Sequence, residues 1–458
     1  MRARLTERML RSLPLALAAV LLAPLPQAVH AQSRGVAESR VSPLREEIEE
    51  RAKDQIRSFY AARDFRPVWM DESGRPSHAA EMLLDRLKTA QVDGVDPQAI
   101  GFEKLARLIA KARRGGAGDS AKAEVALSSA FANYIRATRG TRHANMIYES
   151  HALAPTVPGV RAALDAAVQA NSVEEYLTGM RWMHPFYAPL RAALDDASYS
   201  ADERQQILTN LERVRALPAM PSGRYILVDA ASARLWMYED GQPVDSMKVV
   251  VGKPELPTPM MAGYIRSAIL NPYWNVPDDL VMTTIANNVL ERGVGYLRSG
   301  GYQVFADARD DAPMVDPKTI NWQDVQQGRR KVRVRQLPGG SNFMGKVKFE
   351  FPNPQGIYLH DTPDRHLLDE AARQFSSGCV RLEDAPRLHR WLMGAPMPAR
   401  VRQPETVEEL PQPVPVYITY LTAMPEGGTI AFHTDPYRRD NTHLASVDTG
   451  ATGSDRPN

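Results

Sequence analysis

The chain has 458 residues, 56 basic against 54 acidic side chains for a formal net charge of +2, and one cysteine. The near balance, with no basic stripe, argues against a nucleic-acid-binding protein, and a lone cysteine excludes a disulfide scaffold. At about 150 residues per domain the length allows two or three domains, each able to bury a core.

The first residues read as an address. Arg2, Arg4, Arg8 and Arg11 precede a short apolar run from about Leu13 to Ala23, and Val29-His30-Ala31 offers a cleavage site. That order is a secretory signal peptide over 1–31. The run is shorter than the roughly 20 residues that span a bilayer. Its removal takes four arginines and Glu7 and leaves a net charge of −1. No cysteine follows the cleavage point, so a lipid anchor there is excluded, and no later segment reads as transmembrane. The expectation is a soluble protein released into the periplasm.

Residues 32–218 read as a helical scaffold. Ser42-Pro43 is a helix start. Leu44, Ile48, Ala52, Ile56 and Phe59 then recur at spacings of three and four, which gives one apolar stripe. Further helical stretches run from Ser77 to Ala90, from about Gly101 to Arg113, from Ala121 to about Thr138, and through 160–216 with Ser200 or Asp202 as caps. None concentrates groups suited to chemistry. The pattern changes at Pro218. Tyr225 to Asp229 and Arg234 to Tyr238 are strand-like, Asp240-Gly241 is a hairpin turn, and Met247 to Val251 is the return strand. A mostly antiparallel β domain over 219–440 is predicted, so the fold class is α+β. Residues from about 278 to 336 break the strand rhythm with a helix over Asp279 to Glu291 and read as an insertion, a lid over a cleft. Strands resume at Lys346 and at Ile357 to Asp361. Asp384-Ala385-Pro386 starts a helix, and Pro413 to Tyr420 is a last strand. Residues 441–458 are small and polar and read as disordered.

Cys379 is the one thiol in a chain expected to be exported, where cysteines usually pair. A thiol attacks as its thiolate and needs a base within reach. His360 ends a strand 19 residues upstream, and strand alternation puts Tyr358 on its face. Gly378 can take backbone angles closed to other residues, and the N–H groups of Gly378 and Cys379 can face a developing oxyanion. Arg381 adds positive charge that lowers the thiol pKa or holds a substrate carboxylate. His366 is a rival base in a polar loop. No metal spacing, phosphate loop or serine elbow is present, so neither metal nor cofactor is expected.

The run Ile357-Tyr358-Leu359-His360-Asp361-Thr362-Pro363 followed by Phe375-Ser376-Ser377-Gly378-Cys379-Val380-Arg381 resembles the L,D-transpeptidases of the YkuD fold, closest to their large periplasmic YcbB-like branch. Val251 to Pro254, Asn271 to Pro277 and Val347 to Asn353 fit that branch too, and Phe59 to Trp69 resembles its scaffold. The position between Ser376 and Gly378 is Ser377, where many smaller members carry histidine. The resemblance implies attack of Cys379 on the L-centre carbonyl of meso-diaminopimelate in a tetrapeptide stem, with His360 as base and Gly378, Cys379 and Tyr358 around the oxyanion. It implies substrate contacts from Arg381, Ser376, Ser377, Trp274 and Asn275. It also implies peptidoglycan stem peptides as donor and acceptor, and carbapenems as inhibitors that acylate the cysteine. The branch usually inserts a peptidoglycan-binding module, and 150–218 is too short to hold one. Relatives without it are associated with cross-links from L-alanine 1 to diaminopimelate 3, so both that and the 3-to-3 link stay open. A carboxypeptidase using water and a non-catalytic wall-binding protein are the alternatives. Sortases and NlpC/P60 hydrolases order their histidine and cysteine differently.

Overall fold

In a computed structural model the described residues are 42–140, 145–219, 222–309 and 311–440. The expected signal peptide and the expected disordered tail lie outside them.

Helices fill the first half: α1 (Pro43–Arg51), α2 (Asp54–Ala61), α3 (His78–Lys88), α4 (Phe102–Ala112), α5 (Ala117–Arg139), α6 (Val160–Gln169), α7 (Val173–Thr178), α8 (Tyr187–Ala193) and α9 (Ala201–Val214). Their apolar faces meet around Trp69, Phe131, Tyr134 and Trp182. The helix is interrupted after Arg51, where Asp54 adopts a left-handed φ of 50°, yet Leu44, Ile48, Ala52 and Phe59 of the expected stripe all stay buried in this core. Ser200 caps α9, and its partner Glu203 completes a capping box. Two buried carboxylates hold this half together. Asp93 accepts from Tyr134, Tyr187 and Arg191. Glu124 accepts from the Tyr60 hydroxyl and the backbone N–H groups of Val68, Trp69 and Met70.

The second half is a large mixed sheet. Its strands are β1 (Ile147–Tyr148), β2 (Arg224–Asp229), β3 (Arg234–Glu239), β4 (Gln242–Gly252), β5 (Met261–Leu270), β9 (Val347–Glu350), β10 (Leu359–His360), β11 (Gln374–Ser376), β12 (Val380–Leu382) and β13 (Thr406–Thr419). The order is β1-β5-β13-β2-β3-β4-β12-β10-β9, and β9 also pairs with β5, so the sheet closes on itself. Six pairs are antiparallel, but β13 runs parallel to β2, β10 to β12, β1 to β5 and β11 to β4. The hairpin at Asp240-Gly241 has φ of 48° and 79°, the left-handed pair a tight turn needs. Helix α14 (Ala385–Met393) starts at the capping Asp384 and packs Leu388 and Leu392 onto the sheet.

The insertion has its own small core. β6 (Trp274–Asn275), β8 (Arg333–Gln336) and β7 (Tyr302–Phe305) form a three-stranded sheet. Around it lie α10 (Asp278–Leu280), a π-turn over Val281–Ile285, α11 (Ala286–Arg292), α12 (Gly295–Ser299) and α13 (Trp322–Gln326). The insertion begins at Trp274 rather than 278, because β6 pairs with β8.

A clean division at residue 218 is not what the chain builds. β1, from the helical half, pairs with β5. After β13 a further hairpin, β14 (Ala423–Glu426) with β15 (Thr429–Phe432), places Leu421, Ala423 and Met424 in the helical core. Residues from Pro43 onward therefore form one unit.

Candidate active site

Four adjacent strands set the site. Val250 of β4 lies opposite Arg381 of β12, which lies opposite His360 of β10, which lies opposite Lys348 of β9. Residues in register point to the same face, and their neighbours to the other. The alternate row, Val249, Leu382, Val380, Leu359 and Phe349, is fully buried in the sheet core. The first row therefore turns an imidazole and two cations to the opposite face. Cys379 precedes β12 and Tyr358 precedes β10, and the Val380 N–H donates to the Tyr358 carbonyl at 2.9 Å. Continued alternation puts both on the same polar face. Two residues of strand rise and one strand spacing separate Cys379 from His360, about 8 Å between α-carbons.

The loop before Cys379 is tied from both sides. The Ser376 hydroxyl donates to the Cys379 carbonyl at 2.6 Å and accepts from the Gly378 N–H at 3.1 Å. Gly378 has a φ of 112°, and a Cβ there would lie 3.0 Å from Ile357 Cδ1. A glycine is needed on both counts. The half-buried Cys379 thiol donates to the Gly356 carbonyl at 3.6 Å. Burial pushes its pKa up, while the Tyr358 backbone N–H, Arg381 and Lys348 pull it down.

His360 is almost fully buried. Its Nδ1 lies 2.6 Å from the Asp361 carbonyl, an acceptor only. Nδ1 must therefore carry the proton, and Nε2 is the basic nitrogen. Burial first, then Arg381 and Lys348, push the imidazole pKa down to about 3. The ring rests neutral, ready to accept a proton. A neutral thiol and a neutral imidazole on one face leave proton transfer to the moment of attack rather than to a stored ion pair.

The other predicted residues are placed as follows. The Gly378 N–H, expected to face an oxyanion, is engaged by Ser376. Ser376, expected to contact substrate, spends its buried hydroxyl inside the loop. Both corrections have one cause: a buried hydroxyl two residues from an N–H closes a local turn. Ser377 is exposed. Tyr358 meets the sulfur through its N–H, and Lys348 Nζ sits 4.8 Å from its ring centre. Arg381 pairs with Asp364 at 2.9 Å and lies 6.0 Å from the Phe343 ring, which touches Trp274 at 4.8 Å. That chain of contacts links the insertion to the site. Asn275 is exposed. His366 sits in a one-turn 3-10 helix, Arg365–Leu368, and not on one of these four strands.

Two residues were not singled out from the sequence. Lys348 is 9% exposed and joins the polar row; its alternation with Val347 and Phe349 was visible, but not its register with His360. Thr258, fully buried, donates to the Gly378 carbonyl at 2.7 Å; no local signal marks it, because the contact spans 120 positions. Among the described residues no group of three or more His, Cys, Asp or Glu is arranged to hold a metal, and no helix is long and apolar enough to cross a membrane.

Residues 54–194 match a scaffold domain and residues 223–418 match an L,D-transpeptidase catalytic domain, YkuD. A Haemophilus influenzae protein assigned by name to the L,D-transpeptidases is 27% identical over 412 residues, 86% of this chain and 80% of its own length. Among solved structures, an L,D-transpeptidase from Mycobacterium smegmatis is 10% identical with a TM-score of 0.23, over 44% of this chain and 60% of that one. One from Enterococcus faecium is 16% identical with a TM-score of 0.23, over 44% and 52%. Mycobacterium tuberculosis L,D-transpeptidase 3 with a faropenem-derived adduct is 12% identical with a TM-score of 0.21, over 44% and 62%. The chain spans about half to three-fifths of these three solved proteins. The chain thus carries a YkuD L,D-transpeptidase catalytic domain over residues 223–418 joined to an N-terminal scaffold domain over residues 54–194.

Proposed function

We propose that this chain is an exported enzyme that cross-links peptidoglycan through a thioester on Cys379. The observation that carries the reading is the shared polar face of Cys379 and the neutral, Nδ1-protonated His360 within a YkuD domain. His360 Nε2 takes the thiol proton. The thiolate attacks the carbonyl at the L-centre of meso-diaminopimelate in a tetrapeptide stem, and the Cys379 N–H stabilises the oxyanion. The bond to the terminal D-alanine breaks, and its amine leaves with the proton held by the imidazolium. The amine of a second stem then attacks the thioester, restores the thiol and forms the cross-link. Arg381, Lys348, Trp274 and Asn275 are the residues proposed to contact the stems. The basic, apolar first 31 residues support export to the periplasm.

Covalent labelling by a carbapenem, read as a mass shift on the intact protein, tests the site. One adduct is expected, and none in Cys379→Ala. No adduct, or one that survives the substitution, removes Cys379 from the mechanism. Incubation with tetrapeptide sacculi tests the acceptor: cross-linked dimers are expected, whereas tripeptide monomers alone would make water the acceptor and the enzyme a carboxypeptidase. The dimers' linkage, 3-to-3 or L-alanine 1 to diaminopimelate 3, is read from the same muropeptides.

A further inference from the structure

We propose that Thr258, backed by Tyr437, is a positioning residue that aims the Cys379 N–H at the oxyanion; the inference rests on the acyl-transfer reading above. The peptide between Gly378 and Cys379 is planar and trans, so its C=O and N–H point in opposite directions. Whatever holds the Gly378 carbonyl therefore sets the direction of the Cys379 N–H. The holder is the Thr258 hydroxyl, 2.7 Å away. That hydroxyl has one proton to give, and it gives it here.

Thr258 is itself fixed. Its Oγ1 accepts from the Gly252 N–H at 2.8 Å, and its side chain is fully buried. The Gly252 carbonyl accepts from the Tyr437 hydroxyl at 2.6 Å, and that hydroxyl accepts from the Thr258 N–H at 3.4 Å. Thr258, Gly252 and Tyr437 thus close a ring of hydrogen bonds behind the loop. Gly252 fits because it has no side chain: a Cβ there would lie 2.2 Å from the Leu256 carbonyl oxygen and 2.5 Å from the Thr258 nitrogen. Tyr437 is held in turn by its stack on Tyr420, ring centres 4.9 Å apart.

The front of the loop is equally committed. Ser376 takes the Gly378 N–H and gives its proton to the Cys379 carbonyl. Of the four backbone polar groups of Gly378 and Cys379, three have partners among the described residues. The fourth, the Cys379 N–H, is the one turned away from Thr258. A donor held this way costs no reorganisation when charge develops on the carbonyl oxygen, which is what makes such donors effective. With the Gly378 N–H occupied, this single donor carries the weight that two were expected to share.

Two rates on the full chain separate this role from general support of the thiol. Acylation by a carbapenem passes through an oxyanion, whereas alkylation by iodoacetamide does not. Thr258→Val keeps shape and removes the hydroxyl; its acylation rate is expected to fall about 10- to 100-fold while alkylation stays within about twofold. Thr258→Ser, which restores the hydroxyl, is expected to recover most of the acylation rate. Wild-type acylation in Thr258→Val, or a parallel fall in both rates, overturns the proposal. Should Thr258→Val not fold, Tyr437→Phe carries the test: it keeps the ring stack, and acylation is expected to fall several-fold with alkylation unchanged. Equal rates to wild type there overturn the proposal too. If wild-type protein is alkylated but never acylated, the acyl-transfer reading itself fails, and this inference with it.

Discussion

His360 donates its Nδ1 proton to the carbonyl of Asp361, its immediate neighbour, at 2.6 Å. The base is oriented by backbone rather than by a carboxylate, so only a carbonyl dipole beside Nδ1 favours a positive ring, and burial outweighs it. Removal of the imidazole by His360→Ala leaves the thiol without a proton acceptor. Carbapenem acylation is expected to slow about 10²- to 10⁴-fold. Because burial and two nearby cations hold the ring pKa down to about 3, acylation by wild-type protein should show no inflection near pH 6.5. Stopped-flow or mass-resolved rates between pH 5 and 8 check both points.

Burial raises the Cys379 pKa above that of an ordinary thiol, and Lys348 is among the charges that oppose the rise. Iodoacetamide alkylation should therefore keep increasing with pH beyond the ordinary thiol range. Lys348→Met removes a cation that favours the thiolate. Its alkylation midpoint is expected to move further up. A midpoint that stays or drops would mean that Lys348 does not act on the sulfur.

Glu124 is fully buried in α5 and receives the Tyr60 hydroxyl and three consecutive N–H groups, of Val68, Trp69 and Met70. Burial lifts its pKa to about 7 against the pull of these donors. Glu124→Ala strands the donors without acceptors. At about 1–3 kcal/mol for each stranded group, the loss is expected to reach at least about 3 kcal/mol. Urea unfolding followed by circular dichroism measures it. Catalytic rates of the folded fraction should change little, since the site lies on the sheet.

Burial, with Arg139 nearby, holds the His184 pKa down to about 3. An unfolded histidine binds its proton near pH 6.5. Between these values the unfolded state binds more protons, so the stability tied to this group is present above about pH 6.5 and is lost as pH falls toward 3. His184→Asn removes that dependence. Its melting temperature is expected to fall less between pH 7 and 5 than that of wild-type protein; parallel curves would show that His184 does not contribute.

Much of this molecule is written locally. The Ser200–Glu203 capping box, the Asp240-Gly241 hairpin and the Asp384 cap of α14 depend on residues a few positions apart, and each forms where the sequence places it. The glycine before the lone cysteine and the strand end that carries His360 are local features too. The break after α1 was hidden, because a left-handed Asp54 carries no strong signal. The hairpin of β14 and β15 was hidden as well, because its apolar residues serve the helical core rather than the sheet.

The sequence by itself singled out the groups proposed to react: one thiol, a histidine at a strand end upstream of it, and the glycine between serine and cysteine. Only the tertiary structure decided how they are held. Register across β9, β10, β12 and β4 put Lys348 and Arg381 on the face of His360. Contacts spanning 120 and 185 positions put Thr258 and Tyr437 behind the loop. The physical reason is the range of each interaction. Caps, turns and alternation act within a few residues, whereas the pose of a backbone N–H is set by whichever buried donor the folded chain brings to the other side of its peptide.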